Sequence, residues 1–95
     1  MGRARRRQST LEKIHKLWSS EDEIDRTYAD LLAIAIDTRI SMGLTQSQLA
    51  KETGIAVSMI SKIENGGSIP SVKIFLKYLN GLNLHWSFAY KKSDK

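Results

Sequence analysis

Ninety-five residues with one proline and no cysteine make one small domain, without disulfides, thiolate metal sites or a cysteine nucleophile. Hydrophobic residues are 41% and charged residues 26%, a soluble globular mix, and the longest apolar run, Leu31–Ile36, is too short to cross a bilayer. Fifteen Lys+Arg against ten Asp+Glu leave +5, which favours a polyanionic partner, nucleic acid first.

The first element, residues 1–8, is a basic arm with no apolar periodicity, carrying Arg3, Arg5, Arg6 and Arg7. It reads as a disordered segment that either enters a minor groove or merely solubilises the chain. No apolar stretch follows it as in a signal peptide, so a cytoplasmic, nucleoid-associated protein is expected. Ser9-Thr10-Leu11-Glu12 fits a capping box, and Leu11, Ile14, Leu17 and Trp18 predict a short helix ending near Ser19-Ser20. Ser20 and Glu23 offer a second box, after which a long helix is expected to about Met42, with Gly43 as its stop. Ile24, Tyr28, Leu31, Leu32, Ala35 and Arg39 are assigned to its inner face. The acids Glu21–Asp30 suit a helix start, and would equally serve as a docking face for a basic partner.

Thr45-Gln46-Ser47-Gln48 is a third capping box, with Leu49 and Ala50 turned inward and Gly54 ending a short helix. Ile55 and Ile60 then form a hydrophobic staple for a further helix. On that helix Ile60 and Ile63 face the core, while Val57, Ser58, Ser61, Lys62 and Asn65 share the opposite face. Residues 65–70 (Asn-Gly-Gly-Ser-Ile-Pro) are a loop by composition. Ser71 caps a last helix, with Val72, Phe75, Leu76 and Leu79 inward and Gly81 as its stop. Beyond it, Leu84, Trp86, Phe88 and Tyr90 alternate with His85, Ser87 and Ala89, which predicts a strand. With no partner strand in the chain, the pairing expected is with a second copy, giving a homodimer, and the alternative is an irregular tail packed on the helices.

Two short helices joined by a tight glycine turn, the second polar on its outer side, make a helix-turn-helix suited to a DNA major groove. The run Gly43-Leu44-Thr45-Gln46-Ser47-Gln48-Leu49-Ala50, Gly54, Ile60-Ser61-Lys62-Ile63-Glu64-Asn65-Gly66 and Pro70-Ser71 resembles the XRE family, the lambda-repressor-like (Cro/repressor) helix-turn-helix proteins, over about residues 28–81. The fold so implied is all-α: a lambda-repressor-like helix-turn-helix bundle over residues 28–82. It is preceded by the arm (1–8) and an N-terminal helical extension (9–27), and followed by a short C-terminal β-strand and basic tail (83–95).

The resemblance implies double-stranded DNA as partner and assigns roles by position. Gln46 matches a phosphate-binding residue at a helix N-terminus. Asn65 and the N–H groups of Gly66, Gly67 and Ser68 match a second phosphate clamp. Val57, Ser58 and Lys62 match base-reading positions, with Ser61 beside them on the same face. Arg39 and Glu64 match a structural ion pair between the long helix and the recognition helix. Two positions depart from the family: Ala56 stands where Ser or Thr often caps the recognition helix, and Val57 where Gln often reads adenine.

The function implied is a sequence-specific transcriptional regulator, a repressor acting as a homodimer on a pseudo-palindrome, dimerised through Leu84, Trp86, Phe88 and Tyr90. The acidic extension and aromatic strand also look like antitoxins of the HigA type, which bind a small basic ribonuclease toxin and repress their own operon. A helical adaptor that lost DNA binding is the third alternative, kept open by Ala56 and Val57. His15 and His85 lack metal-ligand spacing, and no catalytic set or phosphate loop stands out. No enzyme, metal, cofactor or membrane association is therefore expected.

Overall fold

The computed structural model describes Ile14, residues 22–85 and Ser87. The basic arm, the Ser9–Glu12 capping box, Trp18, Trp86, Phe88 and Tyr90 lie outside the described residues. Four helices are described: α1 (Glu23–Ser41), α2 (Gln46–Thr53), α3 (Val57–Glu64) and α4 (Val72–Gly81). Ile14 is buried in the same core as these helices.

Helix α1 starts from Asp22, whose carboxylate accepts the Ile24 N–H at 2.7 Å. Glu23 and Asp25 add negative charge at the positive helix end. The cap is therefore Asp22, two residues after the Ser20 expected. Gly43 takes a left-handed φ of 73° just beyond the helix, and the Leu44 N–H returns to the Arg39 carbonyl at 3.1 Å.

The inner face of α1 differs from the expected one. Ala29, Leu32, Ala33, Ala35 and Ile36 are buried, whereas Ile24 is 73% exposed and Leu31 39% exposed. The buried face is thus made largely of alanines, Ala29, Ala33 and Ala35, with Leu32 and Ile36, and the larger Ile24 and Leu31 lie outside it. Tyr28 and Arg39 remain half-buried at the edges.

Helices α2 and α3 follow the local code. Thr45 Oγ1 accepts the Gln48 N–H at 3.0 Å while Gln48 Oε1 accepts the Thr45 N–H at 2.8 Å, a complete capping box. Gly54 closes α2 in the left-handed region at φ 78°, donating to the Ala50 carbonyl at 2.8 Å. Ile55 and Ile60, flanking the start of α3, are both buried.

Ser71 Oγ caps α4 by accepting the Ile74 N–H at 3.2 Å. The buried face of α4 is Phe75, Tyr78 and Leu79, followed by Leu82. Val72 is 73% exposed and Leu76 is also exposed, so the inner stripe is turned from the expected one. Tyr78 replaces them, because its hydroxyl finds a buried partner (below). The Phe75 ring lies 5.8 Å from Tyr28 and 5.9 Å from Tyr78, centroid to centroid.

Gly81 does not stop α4. The helix runs through it to a cap at Leu82, and Asn83 takes the left-handed conformation, φ 60°. Gly81 is required for a different reason. A Cβ there would collide with Thr53 Cγ2 and lie 3.1 Å from Leu49 Cδ1, so the missing side chain lets α4 seat on α2.

Among the described residues there is no strand. Leu84 is half-buried against the core and neither it, His85 nor Ser87 is in a regular element. The other positions of the expected strand lie outside the described residues.

Candidate nucleic-acid interface

Helices α2 and α3 and the Gly54–Ala56 turn form a helix-turn-helix. The inner side of α3 is fixed by buried Ile60, Ile63 and Glu64. On its outer side Val57, Ser58, Lys62 and Asn65 are exposed and Ser61 is half-buried. The fold thus brings all five sequence-assigned residues of this helix and its cap to one surface.

Both helix starts offer backbone donors. At α2 the capping box uses the Thr45 and Gln48 N–H groups, and those of Gln46 and Ser47 have no acceptor among the described residues. At α3 Ala56 sits in an extended conformation, φ −61° and ψ 139°, with no side-chain cap bond. Uncapped first-turn N–H groups at a helix N-terminus favour an anion.

The clamp after α3 differs from the family assignment. Gly66, at φ 83°, makes the turn, and its N–H points back to the Ile63 carbonyl at 3.3 Å. The Gly67 N–H is shared between the Lys62 carbonyl and Asn65 Oδ1, each at 2.8 Å. Those two donors close the helix end and are spent within the chain. Among the described residues only the Ser68 N–H of the three has no acceptor. Asn65, its oxygen engaged, keeps its NH₂ group for an outside acceptor.

Behind this surface lies a polar cluster centred on Glu64. Arg39 meets it in a bidentate pair, Nε to Oε2 at 2.9 Å and Nη2 to Oε1 at 2.7 Å. Arg39 Nη1 also donates to the Leu44 carbonyl at 2.8 Å. Gln46 Nε2 donates to Glu64 Oε1 at 3.1 Å, and the Tyr78 hydroxyl donates to Oε2 at 2.8 Å. One carboxylate therefore ties α1, the start of α2, α3 and α4 together. The hydrogen bond to Glu64 raises the Arg39 pKa above its usual value. Burial first, and then the neighbouring Glu64 charge, push the Tyr78 hydroxyl well above the ordinary tyrosine range. Burial also raises Tyr28.

Sequence reasoning missed Tyr78, the Leu44 carbonyl and the Gln46–Glu64 bond. A signal for Tyr78 existed: residues 75, 78, 79 and 82 are spaced as one helix face, as were the residues chosen. Among the described residues no His/Asp/Glu group is arranged to hold a metal, and no helix is long and apolar enough to cross a membrane.

The helix-turn-helix family profile matches residues 37–88, more than half of the chain. The chain belongs to that family, the XRE-type, lambda-repressor-like helix-turn-helix proteins. It is a DNA-binding regulator of that type, from a family that binds DNA rather than catalyses. No curated protein and no solved structure matches the chain.

Proposed function

We propose that the chain binds operator DNA sequence-specifically as a homodimer and represses transcription by occluding a promoter. The observation that carries this reading is the outer side of α3, where Val57, Ser58, Lys62 and Asn65 are exposed on a helix whose other side is locked into the core. In this reading α3 enters the major groove. Lys62 reaches guanine O6 and N7, Val57 touches a thymine methyl, and Ser58 and Ser61 add tolerant hydrogen bonds. Gln46 gives its backbone N–H, and the amide N–H not used by Glu64, to one phosphate. The Asn65 amide and the Ser68 N–H serve a second, with Gly67 holding the loop.

Selecting bound duplexes from a random pool tests this. A recovered palindromic motif supports it, and recovery of no motif overturns it. On the selected site, Lys62→Ala is expected to relax preference at one base pair, whereas Gln46→Ala weakens all sequences alike. Dimerisation is assigned to Leu84, Trp86, Phe88 and Tyr90 as a strand paired with its counterpart. A monomer in analytical ultracentrifugation at micromolar concentration would remove that part.

A second reading adds a protein partner: an antitoxin that neutralises a small basic ribonuclease and represses its own operon. It is favoured by the exposed acids Glu23 and Asp30 on α1. Its test is the adjacent gene, which should encode a small basic protein whose toxicity this chain relieves on co-expression.

A further inference from the structure

The outer side of α1 is apolar along one stripe and acidic along the next. Residues 24, 31 and 38 form one seven-residue row and residues 27, 34 and 41 the row beside it, the spacing of a coiled-coil seam. Ile24, Leu31 and Ile34 on these rows are 73%, 39% and 55% exposed. The remaining seam positions are Thr27, Thr38 and the exposed Ser41, so the apolar part of the seam is its N-terminal stretch, Ile24 to Ile34, and the two threonines add little polarity. Thr27 Oγ1 donates to the Glu23 carbonyl at 2.9 Å and Thr38 Oγ1 to the Ile34 carbonyl at 2.8 Å, so both hydroxyls are satisfied within the helix. Flanking the seam is a third row, Glu23, Asp30 and Asp37, all exposed. Arg26, near its N-terminal end, leaves that row net negative. A shallow groove of about 340 Å³ joins the two features, lined by Asp30, Ala33, Ile34 and Asp37.

The charge pattern selects the occupant. A second copy packed antiparallel would set the acidic row against itself. A parallel copy would set it against the partner's positions 28 and 35, which are turned toward that copy's own core. Like charges brought together across an interface disfavour the pairing, whereas opposite charges along the flank favour it. We propose that the outer face of α1 is a docking seam for a basic amphipathic helix of another protein. Its apolar stripe covers Ile24, Leu31 and Ile34, and its Lys or Arg side chains run along Glu23, Asp30 and Asp37. One such side chain fits the groove, its aliphatic stem on Ala33 and Ile34 and its charge between the two aspartates.

Arg39, which binds Glu64 of α3, lies about 140° around α1 from Ile34 but only about 60–80° from Ile24 and Leu31, so Ile34 and the groove are the part of the seam turned furthest from that ion pair. The inference deepens the second reading above, since Glu23 and Asp30 serve both, and peptide binding to the chain is read separately from relief of toxicity, so either can fail without the other.

Two labelled synthetic peptides of three heptads test it, sharing one leucine stripe and flanked by lysine in one and glutamate in the other. Each is titrated with the full chain by fluorescence anisotropy. The lysine-flanked peptide is expected to bind at least tenfold more tightly. Ile24→Ser with Ile34→Ser is expected to weaken it at least tenfold, with helicity retained by circular dichroism. Asp30→Lys with Asp37→Lys is expected to invert the preference toward the glutamate-flanked peptide. Equal affinity for both peptides, indifference to the serine substitutions, or an unchanged preference after charge reversal would each overturn the proposal. So would self-association lost on Ile34→Ser, which makes a second copy the occupant. A tenfold gain in affinity on deleting residues 1–8 also overturns it, since the chain's own arginine arm then fills the seam.

Discussion

At residue scale the molecule turns on Glu64, a buried carboxylate with four side-chain donor contacts. Removing it leaves the Arg39 guanidinium largely buried and without its partner. Glu64→Ala is therefore expected to cost about 3–5 kcal/mol, read as a lower urea midpoint at unchanged slope. Tyr78→Phe removes one donor and keeps the ring packing, so its expected cost is about 1.5–3 kcal/mol, the range for a hydrogen bond to a charged group. The same hydroxyl sets an alkaline limit. In the unfolded chain a tyrosine ionises near pH 10, whereas the fold holds Tyr78 protonated above that. Above about pH 10 the unfolded state binds fewer protons than the native state, and stability falls with rising pH by about 1.4 kcal/mol per unit for each such tyrosine. Tyr28 shifts in the same direction. Urea unfolding between pH 9 and 11.5 is expected to show this decline, and Tyr78→Phe to remove one proton's share of it. The resemblance pointed to Arg39 and Glu64, while Tyr78 was passed over because Val72 and Leu76 complete an equally regular apolar stripe with Phe75 and Leu79.

At the scale of elements, the signals legible in the sequence are those written within a few residues. The Thr45–Gln48 box and the Ser71 cap rest on side-chain oxygens accepting backbone N–H groups three residues away, and the Gly54 stop on a backbone bond to Ala50. Inner faces were less legible, because α1 and α4 carry apolar residues on more than one side. On α4 the expected and observed stripes share Phe75 and Leu79, and only packing decides between Val72 and Leu76 on one hand and Tyr78 and Leu82 on the other. Gly81 was misread for the same reason: the close approach of α2 that demands it lies 28 positions away, at Thr53. Gly81→Ala discriminates the two explanations by sign. Helix propensity alone would stabilise by about 1 kcal/mol, whereas the collision with Thr53 predicts a loss of about 1–3 kcal/mol in the same denaturation assay. Ala56→Ser acts oppositely. The backbone there already has the extended conformation of a cap and lacks only the oxygen, so a gain of about 0.5–1 kcal/mol is expected.

For the whole molecule, the polar and charged groups separate into two surfaces. The side of α3 with its clamp presents donors and Lys62, and the outer side of α1 presents carboxylates, so the net charge of +5 understates how sharply the faces differ. DNA binding through the first surface has two electrostatic parts that substitution separates. Gln46 offers neutral amides, so Gln46→Ala is expected to lower affinity for every sequence at an unchanged salt slope. A lysine lost from a phosphate contact would instead make the slope shallower by about 0.9 per phosphate.

Geometry then tests the proposed dimer directly. Two recognition helices related by a two-fold axis and reading successive major grooves must engage half-sites about 10–10.5 base pairs apart, centre to centre. Inserting 5 base pairs between the half-sites rotates one of them to the far side of the duplex. A rigid dimer then holds only one half-site, and its affinity should fall toward that for a duplex carrying a single half-site. Independent monomers would bind both half-sites at either spacing with unchanged affinity. Band-shift titrations of the two duplexes, at one fixed salt concentration, separate these outcomes without any assumption about which residues form the dimer contact.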